Sequence, residues 1–383
     1  ALNVGAMFHQ NGHPVYLLDA DELLRFAAFP KESAMMIISR SGKSTEIVQL
    51  AAKARKAGVT VIGITNAPES PLAKEAHTAI VVPIAFDHAI SVNTYTTLAL
   101  AAGLLAHTAV AEKEKADSSA SGCGGPQPEG RNDKSSVLRR GAKAPLNVTA
   151  SMSEPACGRQ AKLRPLGYAL PDSASETAQA RVPVLPRLAE LADSLSKAFV
   201  ETARAIPRWQ EQIAASAWLK PHSTTYFLAR GSSLGSAYEV RLMWEEGVKS
   251  PATAMGTGSF RHGPQEIVAP RAGARPTETA DKAMRFGMWI DGAHMREQDL
   301  AVARDLQKLG ARVMLIGQKL PKDAGDLVFQ LPEIQPDWQF LIDIIPAQLV
   351  AERLSRLSGV DCDTFRLSSY IVEDEGGLLP KRN

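Results

Sequence analysis

The chain has 383 residues, 45% hydrophobic and 22% charged, enough for two ordinary domains with substantial cores. Forty-three Lys and Arg against 41 Asp and Glu leave a net charge of +2, so no nucleic-acid partner is expected. Cys123, Cys157 and Cys362 are widely spaced and form no CxxC pair; no disulfide framework or zinc site is expected, and a reducing cytoplasm is the simplest location. No signal peptide is recognised, no apolar run is read as membrane-spanning, and no membrane partner is expected.

In chain order, the first strong signal is the apolar run at residues 35–38 (MMII), which reads as a buried strand. Ser39-Arg40-Ser41-Gly42-Lys43-Ser44 comes next, and then Ile47, Leu50, Ala51 and Ala54 recur at helical spacing until Gly58. A strand, a Gly/Ser turn and a helix start make an anion site, because the first helical N–H groups lack partners and the helix dipole favours negative charge. A nucleotide-binding Walker A loop needs a glycine five positions before Gly42, where Ile37 stands, so a smaller phosphate group fits better. The alternative is a surface turn whose serines only cap the helix.

Residues 111–180 contain no Trp, Phe or Ile and only one aromatic, Tyr168, and they are rich in Ser, Gly, Pro and charge. Residues 111–185 therefore read as a linker or insertion without stable structure. The halves on either side look duplicated. "KARKAGVTVIGITNAPESPLAKEAHTAIVVPI" and "DLQKLGARVMLIGQKLPKDAGDLVFQLP" share the order helix, glycine, strand, loop, strand, with Gly58 matching Gly310 and Gly63 matching Gly317. Strands alternating with helices predict an α/β fold of two doubly wound parallel sheets, with ligands at the carboxyl ends of the strands. The second half opens with a strand, "TTYFLA", and a Gly231-Ser232-Ser233 turn that have no counterpart before Ala1. The first sheet is thus expected to lack its N-terminal strand, leaving an exposed edge or recruiting a strand from elsewhere.

Three stretches, in order, resemble the sugar isomerase (SIS) family, and in particular its glucosamine–fructose-6-phosphate aminotransferase branch. Residues 39–44 are similar to the family's SxSGxT phosphate loop. "YEVRLMWEEGVKSPATAMGTGSFRHGP" is similar to its Glu-bearing helix and His-Gly-Pro turn, and "GVDCDTFRLSSY" to its DxDxxR tail. The resemblance covers the chain outside the linker. It implies two flavodoxin-like domains at 1–110 and 186–360, a tail at 361–383 folded over the site, and a homodimer whose sugar-phosphate clefts are shared between subunits. By carry-over, Ser39, Arg40, Ser41, Gly42 and Ser44, with Ser369 from the tail, would hold phosphate and sugar oxygens. Glu246 would be the base moving a proton between C1 and C2, and His262, reaching in from a neighbouring subunit, would open the sugar ring. No metal or cofactor is implied.

The departures narrow the reading. The aminotransferase branch forms a Schiff base through a tail lysine, and the aligned residue here is Tyr370; a second lysine, on the Glu-bearing helix, is replaced by Met243. Tyrosine cannot form an imine. No glutaminase domain is recognised. The expectation is an isomerase, or a deaminase or deglycase, acting on a hexose- or hexosamine-6-phosphate, with a non-catalytic phosphosugar-binding regulator as the alternative. His88, His222 and His294 carry no motif and read as loop or packing residues.

Overall fold

The computed structural model describes residues 1–29, 32–85, 92–121, 146–150, 184–219, 224–268 and 284–367. Ser369, Tyr370, His88, His222 and most of residues 111–185 lie outside the described residues. The first half runs α1 (Leu2–Gln10), β1 (Val15–Leu18), α2 (Ala20–Phe26), β2 (Ala34–Ile38), α3 (Thr45–Lys56), β3 (Thr60–Thr65), α4 (Pro71–Glu75), β4 (Thr78–Val81) and α5 (Val92–Ser121). Its helix starts obey local rules. Asp19 caps α2 by accepting the N–H groups of Asp21 at 2.9 Å and Glu22 at 3.5 Å, and Ser70 caps α4, with Pro71 in its first turn, by accepting that of Ala73 at 3.2 Å.

A strand β5 (Leu146–Ala150) and a helix α6 (Val184–Ala215) come before the second half. That half runs β6 (Thr225–Ala229), α7 (Ser233–Met243), β7 (Ala252–Gly256), α8 (Thr257–Phe260), β8 (Arg285–Trp289), α9 (Arg296–Lys308), β9 (Arg312–Gly317), β10 (Leu327–Gln330) and α10 (Ile345–Leu357).

The strands form two five-stranded sheets, ordered β1-β5-β2-β3-β4 and β10-β9-β8-β6-β7, with every neighbouring pair parallel. The second is the 2-1-3-4-5 order of a flavodoxin-like sheet, with its first strand, β6, second from the edge. The first sheet has the same order only because β5 occupies the slot that β6 fills in the second. The strand missing from the N-terminal side is thus recruited from elsewhere, the second of the two outcomes expected, and the reading of the segment holding residues 146–150 as structureless is corrected. Leu146 pairs with Val15 on one flank and Ala34 on the other, so β5 satisfies backbone groups that β1 and β2 would otherwise leave open. Five residues are too few for a period-2 pattern to stand out from their surroundings, although Val148 and Thr149 are β-branched.

A parallel sheet covered on both faces buries consecutive residues to opposite sides. On β2, Met35 and Ile37 join one core with Leu50 and Ala54 of α3, while Met36 and Ile38 join another with Leu98 and Ala102 of α5. On β9, Met314 and Ile316 face a core holding Trp209, Trp244, Trp289 and Trp338, and Val313 and Leu315 face the opposite one. Residues Val92–Ala111 of α5, with mean hydropathy 1.2, are long and apolar enough to cross a membrane, which corrects the sequence reading. In this fold the helix packs between the halves: Leu98, Ala102, Ala106 and Val110 sit in the first-half core, and Tyr95, Ala99, Leu100 and Leu104 pack against the second-half core.

The halves also meet where α1 crosses α7 at Gly235. A Cβ there would lie 1.6 Å from Asn3 Oδ1, and the Asn3 amide donates to the Tyr95 hydroxyl at 3.0 Å. Gly235→Ala is therefore expected to destabilise the protein by about 1–3 kcal/mol through overpacking at this seam. Denaturant melts read this directly, and an unchanged midpoint would mean that Asn3 moves aside without cost.

Candidate functional site

The turn between β2 and α3 is set by Gly42, whose φ of +59° suits a residue without a side chain; a Cβ there would also meet Ser70 Oγ at 2.6 Å. Ser39, Ser41 and Ser44 are all buried in this turn. Ser39 Oγ accepts the N–H of Gly42 at 3.2 Å and Ser41 Oγ accepts that of Lys43 at 3.2 Å. A hydroxyl that accepts in this way keeps its own hydrogen to donate. The Arg40 carbonyl accepts from Thr65 Oγ1 at 2.9 Å and from the Asn66 N–H at 3.1 Å, so the end of β3 holds the loop in place. Lys43 is exposed and Arg40 half-buried beside the serines. The structure thus brings Ser39, Arg40, Ser41, Gly42 and Ser44 together at the carboxyl end of the sheet, where α3 presents its first amides.

Helix α7 does not stay α-helical to its end. It passes into a π-helical turn, Trp244–Val248, closed by Lys249 in the left-handed region at φ 57° and ψ 36°. Single π turns inside helices are common at functional sites. On a regular helix of 3.6 residues per turn, Glu239 and Glu246, seven residues apart, would share a face, and the wider turn breaks that phase. In the structure Glu239 is buried, whereas Glu246, on the wider turn, is half-buried and Glu245 is exposed and paired with Arg241 at 2.6 Å.

Lys249 carried no signal in the sequence. Its Nζ donates to the Glu246 carbonyl and, at 2.7 Å, to the Thr364 carbonyl, and it lies 5.6 Å from the centre of the Phe365 ring. Burial, and then Arg366, shift the Lys249 amine below the usual lysine range, with Glu246 and Asp361 acting the other way. Asp361 in turn accepts from Thr364 Oγ1 at 2.7 Å and from the Asp363 N–H at 2.9 Å. The start of the C-terminal tail is thereby fixed against the turn that carries Glu246.

His262 lies elsewhere. It is exposed in a turn after α8, just before Gly263 at φ +125°. Because β6 and β7 are parallel, α7 returns Glu246 to the amino end of β7, whereas His262 lies beyond its carboxyl end. Five strand residues separate these ends by about 17 Å. Within one chain, Glu246 and His262 belong to opposite ends of the second sheet.

Comparison with known proteins adds the family. Residues 6–108 match the SIS domain family. Those residues form a SIS domain. The isomerizing glutamine–fructose-6-phosphate aminotransferase of Leifsonia xyli subsp. xyli is 26% identical over 184 residues, which is 46% of this chain and 29% of that protein. The match therefore spans less than a third of the curated relative. Among solved structures, the C-terminal domain of glucosamine-fructose-6-phosphate aminotransferase from Francisella tularensis superposes with a TM-score of 0.64 at 16% identity, covering 94% of this chain and 82% of that one. Glucosamine-6-phosphate deaminase from Thermotoga maritima gives 0.58 at 18% identity, covering 94% and 83%, and tagatose-6-phosphate ketose/aldose isomerase from Escherichia coli gives 0.56 at 17%, covering 95% and 81%. At these identities the likeness is one of fold, and it extends through both halves of the chain.

The seam between the SIS domain and the second half holds two buried carboxyls that the sequence reading did not single out as a pair. Burial pushes Glu239 up to about 7, with Arg241 pulling the other way. Burial also pushes Asp343 up to about 7, opposed by hydrogen bonds, first among them that from Ser233 Oγ at 2.6 Å. Among the described residues, no group of three or more His, Cys, Asp or Glu is arranged to hold a metal.

A carboxyl whose value rises on folding binds its proton more tightly in the folded state. Its stabilising contribution is complete below about pH 4 and is lost as pH climbs to about 7. Glu239→Gln should flatten this fall and raise stability at pH 8 by up to about 3 kcal/mol, the equivalent of its shift. Melting temperatures from pH 4 to 8 check this; a slope identical to the parent's would show that Glu239 is ionised at no such cost.

Proposed function

We propose that this chain is a phosphosugar enzyme, an isomerase or an amino-sugar deaminase or deglycase, acting on a hexose- or hexosamine-6-phosphate. The observation that carries the reading is the serine turn. Buried hydroxyls and first-turn amides converge at a strand–helix junction that has a helix dipole behind it and Arg40 beside it, a combination suited to a monophosphate dianion. The solved deaminase and ketose/aldose isomerase of the same fold, each named for a 6-phosphate, support this substrate class.

In this reading Ser39, Arg40, Ser41, Gly42 and Ser44 hold the phosphate and set the position of C1 and C2. Glu246 removes the proton from one carbon and returns it to the other, through an enediol or enolamine, and this chain's own carboxylate needs no cofactor for that step. Lys249 is a positioning residue: its bonds to the Glu246 carbonyl and to Thr364 hold the base turn and the tail together. His262 opens the ring from a second subunit, an arrangement favoured by its separation from Glu246 along β7. That places the working site between two copies of the chain, with Ser369 contributed by the tail. The boundaries 1–110, 186–360 and 361–383, and a cytoplasmic location, belong to the same proposal.

Glu246→Gln should lower C1/C2 proton exchange with solvent about 100- to 10,000-fold while leaving ligand binding within a few-fold. Ser41→Ala with Ser44→Ala should instead weaken binding of the 6-phosphate and leave affinity for the unphosphorylated sugar unchanged. Exchange is monitored by NMR in deuterated buffer with fructose 6-phosphate, glucosamine 6-phosphate and a fructosamine 6-phosphate. Binding without exchange by the parent protein would favour the regulator, a reading that the Tyr370 and Met243 replacements also favour.

Lys249→Met should lower turnover through tail release, seen as faster amide exchange at residues 361–367. Unchanged protection there would remove Lys249 from the mechanism.

A further inference from the structure

The second half carries a cleft of about 430 Å³ at the switch point of its own sheet. Its walls come from the turns after β6 (Gly231, Ser232, Ser233) and after β8 (Asp291 to His294), from the segment holding Gln335 to Asp337 and Gln339, and from Gln10 and Asn11 at the end of α1. Strands β6 and β8 are neighbours, and their chain connections leave in opposite directions along the sheet, so this is the crevice where doubly wound folds bind ligands. None of the serine turn, Glu246 or His262 lines it.

We propose that this cleft binds an amine-bearing polyol without phosphate, as a second ligand site independent of the serine turn. Three observations specify that chemistry. The first is the state of the helix N-terminus. In the serine turn, serine hydroxyls stand before α3; before α9, the Asp291 carboxylate already accepts the N–H groups of Ala293 at 3.0 Å, His294 at 3.0 Å and Met295 at 2.8 Å. A phosphate would have to displace that carboxylate or sit against it.

The second is the composition of the lining. It holds carboxamides, hydroxyls, an imidazole and the carboxylates of Asp291 and Asp337, with no Lys or Arg and no large apolar side chain. Such a surface suits hydroxyl groups and a cation and disfavours both anions and apolar ligands. With Asp291 committed to backbone amides, Asp337 is the carboxylate left to meet an ammonium group. Burial pushes its carboxyl above the usual range, and His107 and His294 oppose that shift. These histidines face it from α5 and from the turn before α9.

The third is a floor organised in advance. Ser233 Oγ donates to Asp343 at 2.6 Å and accepts from Gln339 Nε2 at 3.4 Å, Gln339 Oε1 accepts from Gln318 at 3.1 Å, and Ser232 Oγ donates to the Pro336 carbonyl at 3.1 Å. The polar groups beneath the ligand are therefore held by one another, and little ordering remains for binding to accomplish.

Calorimetry on the full chain with glucosamine, sorbitol and inorganic phosphate tests the proposal. Glucosamine should bind at least about tenfold more tightly than sorbitol, the ratio expected of one charge-assisted hydrogen bond. Asp337→Asn should abolish that preference. Ala293→Trp, placed at an exposed position in the cleft mouth, should block binding, while Ser41→Ala with Ser44→Ala should leave it intact. Equal affinity for glucosamine and sorbitol, no glucosamine binding, phosphate binding that Ala293→Trp abolishes, or glucosamine binding lost only in the serine variants would each overturn it. Because the serine variants leave this cleft untouched, failure here and failure of the 6-phosphate reading are separable.

Discussion

Every doubly wound half must solve the same problem where a strand hands over to a helix: the helix begins with amide groups that have no internal partner. The two halves differ chiefly in how each solves it. In the SIS domain, small hydroxylated residues and Gly42 stand before α3, with the Ser39 and Ser41 hydroxyls accepting the Gly42 and Lys43 amides. In the second half Asp291 occupies the equivalent place and accepts three amides itself. One sheet order thus carries a serine-rich turn before its helix in one half and an aspartate-capped one in the other. The cleft beside the aspartate-capped turn is correspondingly acidic and amide-lined.

The parts of the fold that could be read in the sequence are those whose signal is local. Residues 35–38 and 312–317 are apolar enough to require burial on both faces, and a glycine marks the end of the helix on either side of each repeat. Gly58 and Gly310 both adopt positive φ, +81° and +86°, so the internal repeat was visible as matched turn chemistry. β5 was not legible, because Leu146–Ala150 becomes a strand by filling the space between β1 and β2, a property of the assembled sheet. The membrane-length stretch of α5 was missed for a related reason. Its alanines and threonines dilute the apolar residues, and its burial is divided between two cores.

The candidate site shows the same limit at finer scale. The serine turn could be placed by its flanking elements alone, since a strand does precede it and a helix follows it. The helix with three glutamates could not be phased, because the π turn at Trp244–Val248 rotates the residues within and beyond it, and 3.6-residue arithmetic cannot anticipate a wider turn. Lys249 illustrates a second kind of invisibility. A lysine next to Ser250 and Pro251 reads as an ordinary loop residue. Its role appears only when Thr364 and Phe365, over a hundred positions later, fold back upon it.

That folding back bears on the two absent lysines. With tyrosine at position 370 and methionine at 243, the chain has no amine where the aminotransferase branch has its own, yet it holds an ammonium group against the Glu246 turn with its charge disfavoured by burial and by Arg366. Lys249 makes two backbone bonds, one to each of the segments it joins, and a group so engaged serves better as a strut than as a nucleophile. Lys249 thus joins the Glu246 turn to the start of the tail. Proton transfer between carbons needs a fixed carboxylate and a fixed substrate, and imine formation is not required for either. In the proposed reaction the tie that Lys249 makes between the Glu246 turn and the start of the tail would fix the base, while the serine turn, on a separate element, would fix the phosphate.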